Sequence, residues 1–319
     1  MRVSVVALDG IFDTGLAAVL DTLTTANELA AEMGRGAPPF AVRVVGLRRR
    51  ARTFQGFHIP VAPPRGPRPD MVVVPALGMK TPEALAVALE RPDVADAERL
   101  LAEHAAAGAW IGAACTGTFV LAATSLLDGR TATTTWWLAP AFRELYPRVT
   151  LEDRRMIVES GRLVTAGAAL AHLDLALWIV RRISPELASV VARYLVVDAR
   201  PSQALYAIPD HLAHTDPMVE RFEGWARRNL GQRFSLSAAA RSVGASERTL
   251  ARRLRAVLGK SPLSYVQDLR VERAIHLLKT SAASVDEIAT QVGYGDGVTL
   301  RTLLRRKTGR GVRELRANV

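Results

Sequence analysis

The sequence holds a single cysteine, Cys115, among 319 residues, which excludes a disulfide framework within the chain. No apolar stretch approaches the roughly 20 residues that a membrane-spanning helix requires, and the apolar run at 3–8 is too short for a signal peptide. The paired Cys and His spacings of metal sites and the glycine-rich loops that bind phosphate are also missing. These absences predict a cytoplasmic protein with no membrane partner, no metal and no cofactor.

Basic charge is concentrated in the last quarter of the chain. Residues 232–319 hold 17 Lys and Arg against 7 Asp and Glu, a net charge of +10, whereas residues 1–231 hold 25 against 24. Since phosphate neutralisation requires clustered positive charge, this distribution favours double-stranded DNA as the partner of the C-terminal region.

A short helix, a tight turn and a basic second helix occur twice within this region. The first copy covers 235–255 with Gly244 at its turn, and the second covers 284–306 with Gly293. Glycine adopts the positive φ that such turns require. Each copy is therefore a predicted helix-turn-helix, whose second helix enters the major groove.

The outward residues of both second helices are the candidate DNA contacts. With Ser246 and Asp296 as N-caps, helical periodicity turns Leu250 and Leu254 inward. Gly297 is also placed on the outer face, and Lys307 is expected to reach the DNA backbone. The predicted contacts are Glu247, Arg248, Thr249, Arg252 and Arg255 in the first helix and Val298, Arg301, Thr302, Arg305 and Arg306 in the second.

Residues 217–316 resemble the DNA-binding domain of the AraC/XylS transcription regulators over its full length. The matching positions are 240–246, Arg248, Leu250, Arg252, 259–262, Arg270, Ala274, Leu278, 288–289, 292–294, Asp296 and Gly309. The resemblance implies an all-α domain of seven helices, with two recognition helices that reach successive major-groove segments.

The N-terminal residues alternate between strand and helix patterns, which predicts an α/β domain around a mostly parallel sheet. Strands are predicted at 3–8, 41–46, 71–74 and 110–114, with a hairpin at 156–166. Helices are predicted at 16–32, 82–107, 117–127, 168–182 and 185–196. The expected division is a first domain at 1–199, a linker at 200–216 that contains Pro201 and Pro209, and a second domain at 217–319.

Cys115 stands between the predicted strand at 110–114 and the helix that follows. A thiol at such a strand-to-helix turn resembles a nucleophile elbow, and the helix dipole would favour its thiolate. The alternative reading is a small buried hydrophobic residue.

The first domain, from about residue 2 to 182, resembles the DJ-1/PfpI branch of the class I glutamine-amidotransferase-like superfamily. The resemblance rests on 115–117, 126–130, 132–136 and 72–78. It implies a flavodoxin-like sandwich with an acidic residue near the thiol, and a loop at 76–78 whose amides face the same pocket. The candidate pocket residues are Asp13, Gly78, Cys115, Thr116, Thr135 and Trp136.

Two departures from the family pattern argue against catalysis. Peptidase-like members carry His directly after the cysteine and many relatives carry His before the tryptophan, whereas this chain has Thr116 and Thr135. His172 is expected to be a packed or capping helix residue. A cysteine hydrolase needs a base within reach of its thiol, so no catalytic residue is predicted.

The combined pattern resembles the GlxA-like subfamily of AraC regulators. It predicts a sequence-specific transcription regulator whose non-catalytic first domain forms a homodimer and senses an unknown small molecule, with RNA polymerase left open as a further partner. Two alternatives remain at this point. One is a DJ-1-superfamily thiol hydrolase or hydratase with an appended DNA-binding domain, and the other is a nucleoid-type binder without sequence preference.

Overall fold

The computed structural model describes residues 1–34, 36–198, 200, 202–203, 208, 212 and 214–317. It divides into two compact units, residues 1–203 and 204–319. The first is an α/β unit and the second is helical. None of the helices in these described ranges is long and apolar enough to cross a membrane.

A six-stranded sheet forms the centre of the first unit. The strands of this unit are β1 (Arg2–Val6), β2 (Ala41–Val45), β3 (Arg50–Arg52), β4 (His58–Pro60), β5 (Met71–Val74), β6 (Trp110–Ala114), β7 (Thr131–Ala132), β8 (Thr150–Leu151), β9 (Ile157–Ser160) and β10 (Leu163–Ala166). The sheet order is β2-β1-β5-β6-β10-β9, and only β9 pairs antiparallel with its neighbour. The predicted, mostly parallel α/β architecture is confirmed.

The described residues of the first unit form seven α-helices. They are α1 (Asp13–Glu32), α2 (Pro82–Leu89), α3 (Pro92–Ala106), α4 (Gly117–Ala123), α5 (Ala139–Leu145), α6 (Ala171–Ile183) and α7 (Pro185–Tyr194). β5 and β10 are buried at every residue because helices cover both faces of a parallel sheet, which explains their continuous apolar sequences.

The prediction of one helix at 82–107 is wrong in one respect, because the structure has two helices there, α2 and α3. Pro92 occupies the first turn of α3, where its missing N–H costs nothing, but it cannot continue α2. The sequence prediction also missed α5 and the β3–β4 hairpin.

The start of the predicted linker packs against the first unit. The Arg200 guanidinium lies 2.6 Å from the Asp174 carboxylate, and Ser202 forms a β-bridge with Arg155. Gln203 is fully buried. Of the remaining predicted linker, the structure describes only 208, 212 and 214–216.

The described part of the second unit forms seven helices, as the family resemblance implied. They are α8 (Pro217–Arg228), α9 (Leu236–Ser242), α10 (Glu247–Leu258), α11 (Pro262–Thr280), α12 (Val285–Gln291), α13 (Gly297–Thr308) and α14 (Val312–Ala317). Side-chain N-caps fix where α8 to α13 begin, and Ser284 and Glu287 form the predicted capping box at α12.

The second unit has two hydrophobic cores that share one helix. The first core joins α8, α9 and α10 to the first half of α11 through residues such as Leu254 and Tyr265. The second joins α12, α13 and α14 to the second half of α11 through residues such as Ala274 and Leu304. Each helix-turn-helix therefore has its own core, and α11 connects them.

Candidate functional site

Both helix-turn-helix motifs have the expected geometry. Gly244 lies between α9 and α10 with φ 71°, and Gly293 lies between α12 and α13 with φ 82°. The Ser246 hydroxyl accepts from the Thr249 amide at 3.2 Å, and the Asp296 carboxylate accepts from the Thr299 amide at 2.7 Å. The predicted caps of both recognition helices are confirmed.

The outer face of α10 presents three arginines to solvent. Leu250, Leu254 and Leu258 are buried along the inner face. Arg248, Arg252 and Arg255 are exposed together with Glu247, whereas Thr249 is half-buried. Arg248 and Arg252 are four residues apart, so they lie one helical turn apart on the same face.

The outer face of α13 carries Val298, Arg301, Thr302, Arg305 and Arg306, all of them exposed. Val298 is 66% exposed. An exposed valine at the start of a recognition helix offers an apolar contact for a thymine methyl group.

Two predictions about α13 are wrong. Gly297 is buried rather than outward, because its amide donates to the Asp286 carboxylate at 2.8 Å and a β-carbon there would lie 2.6 Å from the same oxygen. Lys307 points inward, with its ammonium 2.7 Å from the Asp268 carboxylate and its side chain only 8% exposed. Because its ammonium forms this buried ion pair, Lys307 does not make the expected contact with the DNA backbone.

Cys115 occupies a strained strand-to-helix turn at the carboxyl end of β6. Its φ is 54°, in the left-handed region, and its amide donates to the Ala166 carbonyl at 2.8 Å. Gly117 follows because a β-carbon there would lie 2.4 Å from the Val74 carbonyl oxygen. The elbow predicted from the sequence is therefore present in the backbone.

The thiol itself is not activated. Burial raises the pKa of Cys115 to about 12, against smaller opposing contributions from the Thr116 amide and the Thr135 hydroxyl. Burial of the sulfur thus favours the neutral thiol, in contrast to the thiolate expected from the sequence.

The other predicted pocket residues surround the elbow in different ways. Thr116 is buried and donates to the Leu77 carbonyl at 2.6 Å, and Thr135 is also fully buried. Half-buried Trp136 begins a 3₁₀ turn and contacts the Trp137 ring edge-on at 5.5 Å.

Asp13 and Gly78 contact the β3–β4 hairpin. The Asp13 carboxylate accepts from the Gln55 amide at 3.1 Å, and a β-carbon at Gly78 would overlap the Phe54 ring. The expectation that the amides at 76–78 face the pocket is wrong for two of them. The Gly78 amide donates to the Gly10 carbonyl, and the Ala76 amide donates to His172.

His172 uses both ring nitrogens on backbone groups. Its Nε2 accepts from the Ala76 amide at 3.0 Å, and its Nδ1 lies 2.6 Å from the Ala169 carbonyl, to which it donates. Burial lowers the pKa of His172 to about 4, so the ring is neutral. A histidine in this state has no free nitrogen to act as a base, which agrees with its expected packing role.

Sequence reasoning missed Thr134 and Gln203. The Thr134 hydroxyl donates to the Cys115 carbonyl at 2.7 Å, and the Gln203 side-chain amide donates to the Thr134 carbonyl at 2.8 Å. The Gln203 Oε1 atom is buried and has no hydrogen-bond donor within reach among the described residues. No local signal marks Gln203, because it lies in an aperiodic stretch between two prolines.

Comparisons with known proteins agree with both units. Residues 2–182 match the model of the DJ-1/PfpI family, and residues 239–318 match that of a helix-turn-helix domain. The HTH-type transcriptional regulator GbdR of Pseudomonas aeruginosa is 29% identical over 212 residues, which cover 65% of this chain and 58% of GbdR. The regulator GlxA of Rhizobium meliloti is 30% identical over 197 residues, or 59% of each chain.

A crystal structure of an AraC family transcriptional regulator from Pseudomonas putida shares the fold of the first unit. It aligns with a TM-score of 0.50 at 22% identity and covers 61% of this chain and 98% of its own. The alignments with GbdR and GlxA span about three fifths of the length of those two proteins. The chain belongs to the DJ-1/PfpI family, and an AraC-type helix-turn-helix domain follows its DJ-1/PfpI domain.

Proposed function

We propose that this protein is a sequence-specific DNA-binding transcription regulator. The observation that carries the proposal is the pair of capped recognition helices, each with arginines on its exposed face, in a region with a net charge of +10. The curated relatives GbdR and GlxA are themselves HTH-type transcriptional regulators. The DNA operator is the macromolecular partner, and RNA polymerase bound beside it is a further one.

The two recognition helices read DNA unequally. Arg248 and Arg252 on α10 can each donate two hydrogen bonds to a guanine edge. At the start of α13, Val298 offers only an apolar contact, while Arg305 and Arg306 in its last turn are suited to phosphates. The operator therefore has one strongly specified segment and a weaker one about one helical turn away.

Selection of bound duplexes from a random DNA pool, followed by sequencing, tests this reading. The expected result is a site with the unequal pair of segments. Two equally specified segments would contradict the assignment of roles to α10 and α13. Enrichment without any shared sequence would contradict the regulator proposal.

The first unit acts as a sensor and dimerisation domain in the cytoplasm, without catalysis. The Cys115 thiol is neutral at physiological pH, and the buried His172 has no nitrogen free to deprotonate it. C2 pairing is the commonest arrangement of homo-oligomers, and a homodimer through this unit brings two DNA-binding domains together. We propose that Asp13, Gly78, Cys115, Thr116, Thr135 and Trp136 line the pocket for a small neutral or cationic effector.

Gln203 connects this pocket to the chain that enters the second unit. A hydrogen-bonded series runs from the Cys115 carbonyl through Thr134 to Gln203, the last residue of the first unit. An effector that displaces the Gln203 side chain removes the hydrogen bond that fixes the end of the first unit. Such a ligand changes DNA affinity only through its differential binding to the two states, which is typically about 1–3 kcal/mol.

The coupling is tested with Gln203→Ala and an effector found by a thermal-shift screen of small metabolites. We expect the variant to bind the effector, but the effector should no longer change its operator affinity. Ser202→Ala is the matched control, because Ser202 is the adjacent residue and its hydroxyl donates to the Arg154 carbonyl at 2.7 Å in an exposed position. Unchanged regulation in Gln203→Ala would contradict this route.

A further inference from the structure

The two recognition helices belong to separate cores, so something must fix their relative position. The shared helix α11 passes from the first core to the second near its middle, since Leu269 packs in the first core and Val271 packs in the second. Two charged side chains, Asp268 and Arg270, lie at this junction. Being two residues apart, they point to nearly opposite sides of the helix.

The Asp268 carboxylate joins the C-terminal ends of both recognition helices. Its Oδ2 atom lies 2.9 Å from the ammonium of Lys260, which follows the C-cap of α10, Gly259. Its Oδ1 atom lies 2.7 Å from the ammonium of Lys307 in the last turn of α13. All three side chains are less than one-fifth exposed, and Lys307 also donates to the Ser264 hydroxyl at 3.2 Å.

The charges in this cluster hold each other in place. Burial by itself would raise the pKa of Asp268, but the two ammonium groups keep the pKa of the carboxyl below its usual value. The Asp268 carboxyl is therefore ionised at physiological pH. Because a buried ion pair depends on close geometry, it resists movement of either lysine and of the helix end that carries it.

Arg270 makes a second connection on the other side of α11. Its guanidinium donates to the Leu230 and Gln232 carbonyls in the segment between α8 and α9. The same group lies 4.8 Å from the centre of the Tyr294 ring, in the turn of the second helix-turn-helix. Arg270 is 4% exposed, so this connection too is buried.

We propose that Asp268 is a positioning residue for two-segment operator recognition, which holds α10 and α13 at the spacing that lets both reach one face of the duplex. The proposal rests on the proposed function. Each half reads its own segment through its own helix. Once α10 has bound its segment, Asp268 holds α13 close to the second segment. Binding of the second segment is then intramolecular, and the effective concentration of α13 at that segment is higher.

The test uses the full-length protein, the selected operator and three duplexes. One duplex is complete, one has its weaker segment scrambled, and one carries a single inserted base pair between the segments. An insertion rotates the second segment by roughly 35° about the duplex axis, since B-DNA has about 10 base pairs per turn. Affinities are measured by fluorescence anisotropy at one stated salt concentration.

Asp268→Asn should lose at least about tenfold in affinity for the complete duplex, as expected when two linked sites act separately. Its affinity for the scrambled duplex should stay at the wild-type value. The loss of affinity caused by the inserted base pair should be smaller in the variant than in wild type. Glu220→Gln is the matched control, because exposed Glu220 on α8 carries the same charge away from the cluster. It should match wild type on all three duplexes apart from a uniform gain in non-specific binding.

Lys260→Met and Lys307→Met provide a second pair of variants in case Asp268→Asn folds poorly. Each removes one connection, so both should reproduce the selective loss on the complete duplex. Wild-type behaviour of all three variants, or equal losses on complete and scrambled duplexes, would overturn the positioning role. A wild-type protein that binds operator and random DNA alike would instead overturn the regulator proposal, and this inference with it.

Discussion

The pH dependence of folding stability tests whether His172 has a structural role rather than a catalytic one. Burial lowers the pKa of His172 from 6.5 to about 4 in the folded state, where the neutral ring accepts from the Ala76 amide. The neutral ring therefore supports folding fully above pH 6.5, and this support is lost as the pH falls from 6.5 towards 4. At 1.36 kcal/mol per pKa unit the whole effect is about 3 kcal/mol, of which about 2 kcal/mol is lost between pH 7 and pH 5.

The perturbation is His172→Gln, which keeps a hydrogen-bond acceptor for Ala76 but does not titrate. Denaturant unfolding is followed by tryptophan fluorescence, since four of the five tryptophans lie in the first unit. Burial raises the pKa of Asp174 to about 6, which stabilises the fold as the pH falls and opposes the effect of His172. The quantity to compare is therefore the difference between wild type and variant at each pH. An equal pH dependence in the two proteins would refute the reasoning.

Three further predictions concern DNA, the thiol and assembly. Arg248→Ala or Arg252→Ala should cost about 1–3 kcal/mol on the selected operator and relax its sequence preference. Equal losses on operator and random DNA would show that these arginines contact only phosphates. Cys115→Ser should leave operator binding by the ligand-free protein unchanged, and iodoacetamide should label wild-type Cys115 slowly at pH 8, because its pKa is about 12. Rapid labelling would indicate an activated thiol. Sedimentation at micromolar concentration should give a dimer, and a monomer would contradict the proposed role of the first unit.

The helices and turns of the second unit could be predicted closely from the sequence, because the residues that mark their ends act locally. Each turn glycine and each capping residue acts within one helical turn, so Gly244, Ser246 and Asp296 could be assigned from spacing alone. The errors arose where a side chain meets a distant residue. Lys307 has the position of a DNA contact on its own helix, and only the fold brings Asp268 to it across 39 residues.

The same distinction holds around Cys115. The elbow follows from a strand, a cysteine and Gly117 in sequence, and its backbone was predicted correctly. The state of the thiol depends on its burial by the whole first unit, which raises its pKa and cannot be seen from the local sequence. Gln203 reaches Thr134 across 69 residues, from a stretch without periodicity, and no pattern in the sequence indicates that contact.

The most direct test of the account is the specificity ratio of the full-length protein. Affinities for the selected operator and for a scrambled duplex of equal length are measured at the same physiological salt concentration, because phosphate binding depends strongly on salt. For a transcription regulator we predict that the operator binds at least about 10³-fold more tightly. A ratio near one would show that the exposed arginines of α10 and α13 bind only the DNA backbone, and would contradict the central claim.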